Sequence, residues 1–321
     1  MLRELGFKAL EKHQSVPVPV MRVLLGRVLE GTHVALCLHR VDDGSRGASK
    51  EMETVIHPNE LDQLLSILSG SRPSAANPWL MVCFDDGYAD AAEYVKERLA
   101  RFPAVRWYFF VCPEKLKKRA GFRWDLAPSA SGADMMDGPF DVRAENDRGD
   151  LRELGDKPDC RLLTIDECRE LALHPNVVLG NHTNCHFKQT QIPLEDSRHD
   201  FEASRREFEE LFGRTDHFAF PFGTPQKEFN DEHVKLARGL GYKHVWSVDR
   251  RPYFPEEQGV LPRYPIFGTW PATKTALAIL LQAAKWRWRS RGGDSLLPSG
   301  VENLHTYVAS DADENGNMEG R

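Results

Sequence analysis

Short apolar runs recur along the chain, and several of them stop abruptly at a cluster of polar residues. Val34–Leu38, Leu80–Phe84, Val105–Val111 and Val177–Gly180 are almost wholly hydrophobic. Such runs suit strands buried on both faces. Between them, apolar residues fall at helical spacing: Leu61, Leu64, Leu65 and Leu68, then Ala91, Ala92, Tyr94, Val95 and Leu99. Further helices are predicted over Thr164–Leu173, Arg198–Leu211, Asn230–Leu240 and Ala272–Trp288, and further strands over His217–Phe220, Tyr242–Val248 and Leu261–Ile266. This alternation predicts an α/β fold with a parallel sheet or barrel. Residues 1–30 read as an N-terminal helical extension, 31–270 as the main domain, and 271–321 as a helix followed by a polar, Gly-rich tail. Segment 113–160 breaks the rhythm and is too long for an ordinary loop, so it reads as an insertion forming a rim or lid.

Composition narrows the class only slightly. The 321 residues are 41% hydrophobic and 28% charged, ordinary for a globular protein with a sizeable core. A net charge of -6 gives no footing for nucleic acid. The six cysteines include no CxxC pair, and Cys37, Cys83 and Cys112 lie inside apolar runs, which fits a reducing compartment. Arg3, Glu4, Pro17, Pro19, Arg22 and Arg27 interrupt the N-terminus where a signal peptide would be apolar. No run approaches the ~18 apolar residues of a membrane span. The default expectation is therefore a cytoplasmic protein with no integral membrane segment.

The candidate chemistry sits where the strands end. His39, Asp85-Asp86, His182 and the turn Pro221-Phe222-Gly223 each follow an apolar run. Parallel strands place all these ends on one face, where α/β folds carry their sites. His182 and His186 are four apart, and in a helical turn both imidazoles would project from one side. With one carboxylate they make a His₂-carboxylate set that leaves positions open on a metal ion. Asp85 and Asp86 are neighbours that point in different directions, so one can bind metal while the other works on water; two such close carboxylates favour a cation beside them. Arg263 is placed to orient Asp85 through a charge-assisted hydrogen bond. Asp90, in the following helix, reads as a surface or supporting residue.

These residues reach a known family. Val82-Cys-Phe-Asp-Asp-Gly-Tyr88 resembles the first motif of the polysaccharide deacetylases, the NodB-homology or carbohydrate esterase family 4 group, with Cys83 where threonine is usual. Gly180-Asn-His-Thr-Asn-Cys-His186 is similar to the second motif, and Phe218-Ala-Phe-Pro-Phe-Gly223 to the third, with phenylalanine for both tyrosines. Leu38-His-Arg-Val41 and Leu261-Pro-Arg263 resemble the family's opening and late arginine segments. The resemblance runs in order from about residue 34 to 267, interrupted by the insertion. It implies a distorted (β/α) barrel and an acetylated carbohydrate as substrate. It also implies one divalent ion, zinc first, with cobalt, nickel or manganese as alternatives, held by Asp86, His182 and His186. Asp85 would be the base. The Phe222 backbone N–H, in the Pro221-Phe222-Gly223 turn, would help hold the oxyanion. The general acid is less determined: His39 ends a buried strand on the active face, while His305 lies in the tail without the family's spacing. A non-catalytic carbohydrate-binding relative remains open, as does, more remotely, a glycoside hydrolase, although adjacent carboxylates do not flank a bond ~5–9 Å apart.

Overall fold

The computed structural model describes residues 16–45, 55–72, 78–122 and 160–290. In chain order the elements are α1 (Val18–Val28), β1 (Val34–Leu38), β2 (Arg40–Val41), β3 (Val55–Ile56), α2 (Pro58–Ser69), β4 (Leu80–Phe84), α3 (Ala89–Arg98), β5 (Val105–Val111), α4 (Pro113–Lys118), α5 (Ile165–Ala172), β6 (Val177–Asn181), α6 (Leu194–Phe212), β7 (His217–Ala219), α7 (Asp231–Gly239), β8 (His244–Trp246), β9 (Val260–Leu261), β10 (Tyr264–Pro265) and α8 (Ala272–Ser290). Eight strands form one sheet in the order β10-β1-β4-β5-β6-β7-β8-β9, with every pairing parallel. The sheet curls into the distorted barrel that the sequence predicts. β2 and β3 make a separate parallel pair.

Strand alternation sorts the side chains. Leu36, Leu38, Val82, Phe84, Trp107 and Phe109 face outward and pack under Leu61, Leu64, Leu65, Val95 and Ala276 of the helices. Ala35, Met81, Cys83, Tyr108, Phe110 and Trp246 fill the inside. Both faces are covered, which is why the strands read as unbroken apolar runs and not as alternating ones. A fully buried leucine contributes about 1.5–3 kcal/mol to this arrangement. The helices begin where their sequences cap them. Thr164 accepts from the Glu167 backbone N–H, and Glu167 returns the bond to the Thr164 N–H, a capping box that opens α5.

Three expectations are corrected. Leu261–Ile266 is not one strand. Pro262 and Arg263 split it, so that β9 pairs with β8 at one edge of the sheet and β10 pairs with β1 at the other. The chain thus crosses the barrel's open seam in two residues. The insertion does not begin as irregular chain: Pro113–Lys118 is a helix with Pro113, Lys115 and Leu116 buried. Residues 123–159 lie outside the described residues. The chain returns at Arg161–Leu163 and docks on the end of β4, with Ala89 N–H to Arg161 O at 2.9 Å and Leu163 N–H to Gly87 O at 2.9 Å. Both described ends of the excursion are therefore beside the strand ends that carry the polar clusters. Finally, residues 182–186 are not helical.

Candidate metal centre

β4 delivers Asp85 and Asp86. In an extended strand, consecutive side chains face opposite ways. Here the alternation is broken because Asp86 takes a left-handed backbone, φ 72°, followed by Gly87 at φ 82°. The Asp85 N–H is anchored to Leu38 O of β1 at 2.9 Å. As a result both carboxylates reach the same imidazole: His182 Nε2 lies 3.8 Å from Asp85 Oδ2 and 3.7 Å from Asp86 Oδ1. His186 Nε2 lies 3.0 Å from Asp86 Oδ1.

The two histidines converge without a helix. His182 follows β6, and its N–H bonds to Val111 O at 2.9 Å. The loop then bends through left-handed Thr183 (φ 63°) and His186 (φ 56°). Thr183 Oγ1 accepts the His186 N–H at 3.0 Å, closing a tight turn. Buried Asp200, on α6, accepts the N–H groups of Asn184 and Cys185 at 3.0 and 3.2 Å. The rings end 4.9 Å apart, edge to face.

Protonation follows from the partners. His182 Nδ1 is 2.8 Å from Ala219 O, so the proton sits there and the Nε2 lone pair faces the carboxylates. Burial lowers its pKa to about 4, which keeps the ring neutral. Burial pushes the Asp85 and Asp86 carboxyls up, but their neighbours outweigh it and both lie below the ordinary range. Arg263 leads for Asp85 and His186 for Asp86. Donor atoms of Asp86, His182 and His186 all lie within 4.8 Å of one another, and all three residues are buried. Buried Asp86 Oδ1 is met by His186 Nε2 at 3.0 Å and His182 Nε2 at 3.7 Å. An ionised oxygen and two imidazole nitrogens directed at one point are the donor set of a borderline divalent ion, so the residues fit the metal that the sequence implies.

The remaining expected residues gather around this point. Arg263, fully buried, donates from Nη1 to Asp85 Oδ1 at 2.6 Å and from Nε to Ser247 O at 3.2 Å. Its guanidinium lies over the Phe110 ring, 5.1 Å from the centroid. His39 is half-buried at the end of β1, close enough to act electrostatically on both Asp85 and Asp86. In the Pro221-Phe222-Gly223 turn, Phe222 is left-handed (φ 60°), and its ring stands edge-on to His186 at 5.1 Å. His305 lies outside the described residues.

The family profile described as polysaccharide deacetylase matches residues 73–245, more than half of the 321-residue chain. The chain belongs to the polysaccharide deacetylase family. The fold of this polysaccharide deacetylase is similar to that of a deacetylase from Streptococcus pyogenes solved with acetate, with a TM-score of 0.52 at 14% identity over 77% of this chain and 98% of that one. A polysaccharide deacetylase from Bacillus cereus gives 0.52 at 14% identity over 77% and 69%. A de-N-acetylase from Aggregatibacter actinomycetemcomitans gives 0.51 at 15% over 76% and 99%. Comparison with curated proteins finds no match.

Sequence reasoning missed some of the polysaccharide deacetylase's supporting residues. Of the two readings of Asp90, surface or supporting, the second holds, since it is buried and ion-paired with Arg40 at 2.8 Å, but its partner was not foreseen. Asp200 was legible in principle, because Ser197, Asp200, Phe201, Ser204 and Phe208 form the buried stripe of α6 at helical spacing. An acid on such a stripe signals a built interaction. Among the described residues, no helix is long and apolar enough to cross a membrane.

Proposed function

We propose that this protein is a metal-dependent hydrolase that removes N- or O-acetyl groups from a carbohydrate. The observation that carries the reading is the convergence of Asp86, His182 and His186 beside a separately held Asp85. Zinc fits the donor set best, with cobalt, nickel or manganese as alternatives. A divalent ion bound there would polarise the acyl carbonyl and make water easier to deprotonate.

The chain's residues supply the rest. Arg263 occupies Asp85 Oδ1, while Oδ2, on the His182 side, accepts a weak S–H bond from Cys37 at 3.5 Å and takes the proton as water attacks the carbonyl carbon. The Phe222 backbone N–H donates to the developing oxyanion, a contribution of about 3 kcal/mol where such donors have been removed. His39 protonates the departing amine or alkoxide as the C–N or C–O bond breaks, and acetate leaves. The described ends of the excursion, 113–122 and 160–163, form part of the substrate-facing rim.

Elemental analysis of purified protein should find about one divalent ion per chain, absent from His182→Ala. An acetate-release screen across N- and O-acetylated glycans, with zinc, cobalt or manganese, should give turnover that Asp85→Asn reduces roughly 10²–10⁴-fold while retaining the ion. A metal-free wild type under replete conditions, or a fully active Asp85→Asn, would overturn the assignment.

A further inference from the structure

The two carboxylates at the end of β4 stand at nearly the same distance from His182 Nε2: 3.8 Å for Asp85 Oδ2 and 3.7 Å for Asp86 Oδ1. Distance alone therefore does not decide which of them meets an ion there. What differs is how each is held. Asp86 Oδ1 faces the imidazoles of His186 and His182. Asp85 is held at both oxygens: Oδ1 accepts from Arg263 Nη1 at 2.6 Å, and Oδ2 accepts from the Cys37 thiol at 3.5 Å. The second bond matters more for geometry than for energy. A carboxylate anchored at one oxygen can still pivot, because the Asp χ2 torsion is broad. Anchored at both, it keeps one plane.

Cys37 is itself rigidly placed. It lies in β1 between β4 and β10, in register with Cys83 on one side and Pro265 on the other. Its carbonyl accepts the Ile266 N–H at 3.0 Å. Alternation along β1 puts Cys37 on the same inner face as Ala35. Burial, above all, raises the Cys37 pKa well above the usual thiol range, so the group stays S–H and donates. A thiol is a weak donor. It orients Oδ2 and leaves that oxygen a lone pair with which to take a proton.

We infer that Cys37 is a positioning residue that holds Asp85 off the metal ion, so that Asp86 is the carboxylate ligand and Asp85 stays a base. The inference rests on the metal-dependent hydrolase reading above. Without the thiol, Asp85 Oδ2 is free to turn toward the point that His182 Nε2 faces. A bound ion would then gain a ligand and lose an open position, and the electron pair that should receive the proton would be occupied.

Zinc affinity of the full chain, measured by competition with a chromophoric chelator, tests the inference apart from turnover. Cys37→Ala should bind zinc about threefold to tenfold more tightly than wild type, while kcat for acetate release falls about tenfold at little-changed KM. Cys37→Ser keeps a donor and should return zinc affinity to within about twofold of wild type. In an Asp85→Asn background, Cys37→Ala should leave zinc affinity unaltered, because the carboxylate that would reach the ion is gone; this cycle isolates the pair. Cys37→Val fills the thiol's volume without a donor and stands in if the alanine variant does not fold. Zinc affinity unchanged or weakened in the donorless variant, or a gain that persists with Asp85→Asn, overturns the inference; normal zinc binding and acetate release by wild type then leave the hydrolase reading standing. A wild type that neither binds zinc nor releases acetate overturns both.

Discussion

Asp86, Thr183, His186 and Phe222 all hold left-handed backbones, and all four lie at the candidate metal centre. Each costs roughly 1 kcal/mol or more and persists only because neighbouring bonds over-determine it. Arg263 illustrates how tightly the site is determined. Its removal would strand the Asp85 carboxylate in the barrel, so Arg263→Leu should lower unfolding stability by about 3–5 kcal/mol, read by urea denaturation, and abolish acetate release. At this scale the sequence was informative about identity and weak on conformation. The four residues of the leading hypothesis are brought together, because strand ends in a parallel sheet must share a face. The local shape was not legible: four-residue spacing suggests a helical turn at 182–186, whereas Thr183 Oγ1 and Asp200 impose an irregular one. Nothing in the residues between the histidines announces a positive φ.

Elements carry the site through a few contacts between them. Asp200 ties α6 to the loop after β6. Burial raises its pKa to about 6 against an ordinary 3.8. The folded state therefore holds this proton more tightly than the unfolded one. The resulting stability is present below about pH 4 and lost as pH rises through 6. Asp200→Asn keeps an oxygen for both N–H groups and does not ionise. The stability of wild type relative to Asp200→Asn should therefore fall by roughly 3 kcal/mol between pH 4 and 7, measured by urea denaturation. β5 and β6 are joined as closely: Phe110 and Gly180 are register partners, and a Cβ on Gly180 would run into the Phe110 ring. That ring also supports His182, at 6.4 Å, and Arg263. Gly180→Ala should cost about 1–3 kcal/mol in thermal stability and reduce activity as well. Long apolar runs made β1, β4 and β5 legible to the residue. The two-residue strands β9 and β10 were not, because a pattern that short has no period to read.

Across the whole molecule, the two mouths of one barrel differ in charge. The carboxyl ends gather acids and imidazoles around a cation's place, and the amino ends gather guanidiniums. This polarity is not legible in the sequence, since Arg106, Arg214 and Arg238 are far apart along the chain and come to line one cavity only through the curl of the sheet. The seam between β9 and β10 has a consequence of its own. The sheet is a strip whose two edges are laced by Pro262 and Arg263, and the lace is also what grips the proposed base. A thermal or chemical fluctuation that parts the strip slackens Asp85 while α2, α3 and α8 still cover the outer core. Function should therefore fail before structure: in a urea titration, acetate release should decline at concentrations where far-ultraviolet circular dichroism is still native. Coincident transitions would mean that the lace and the core give way together.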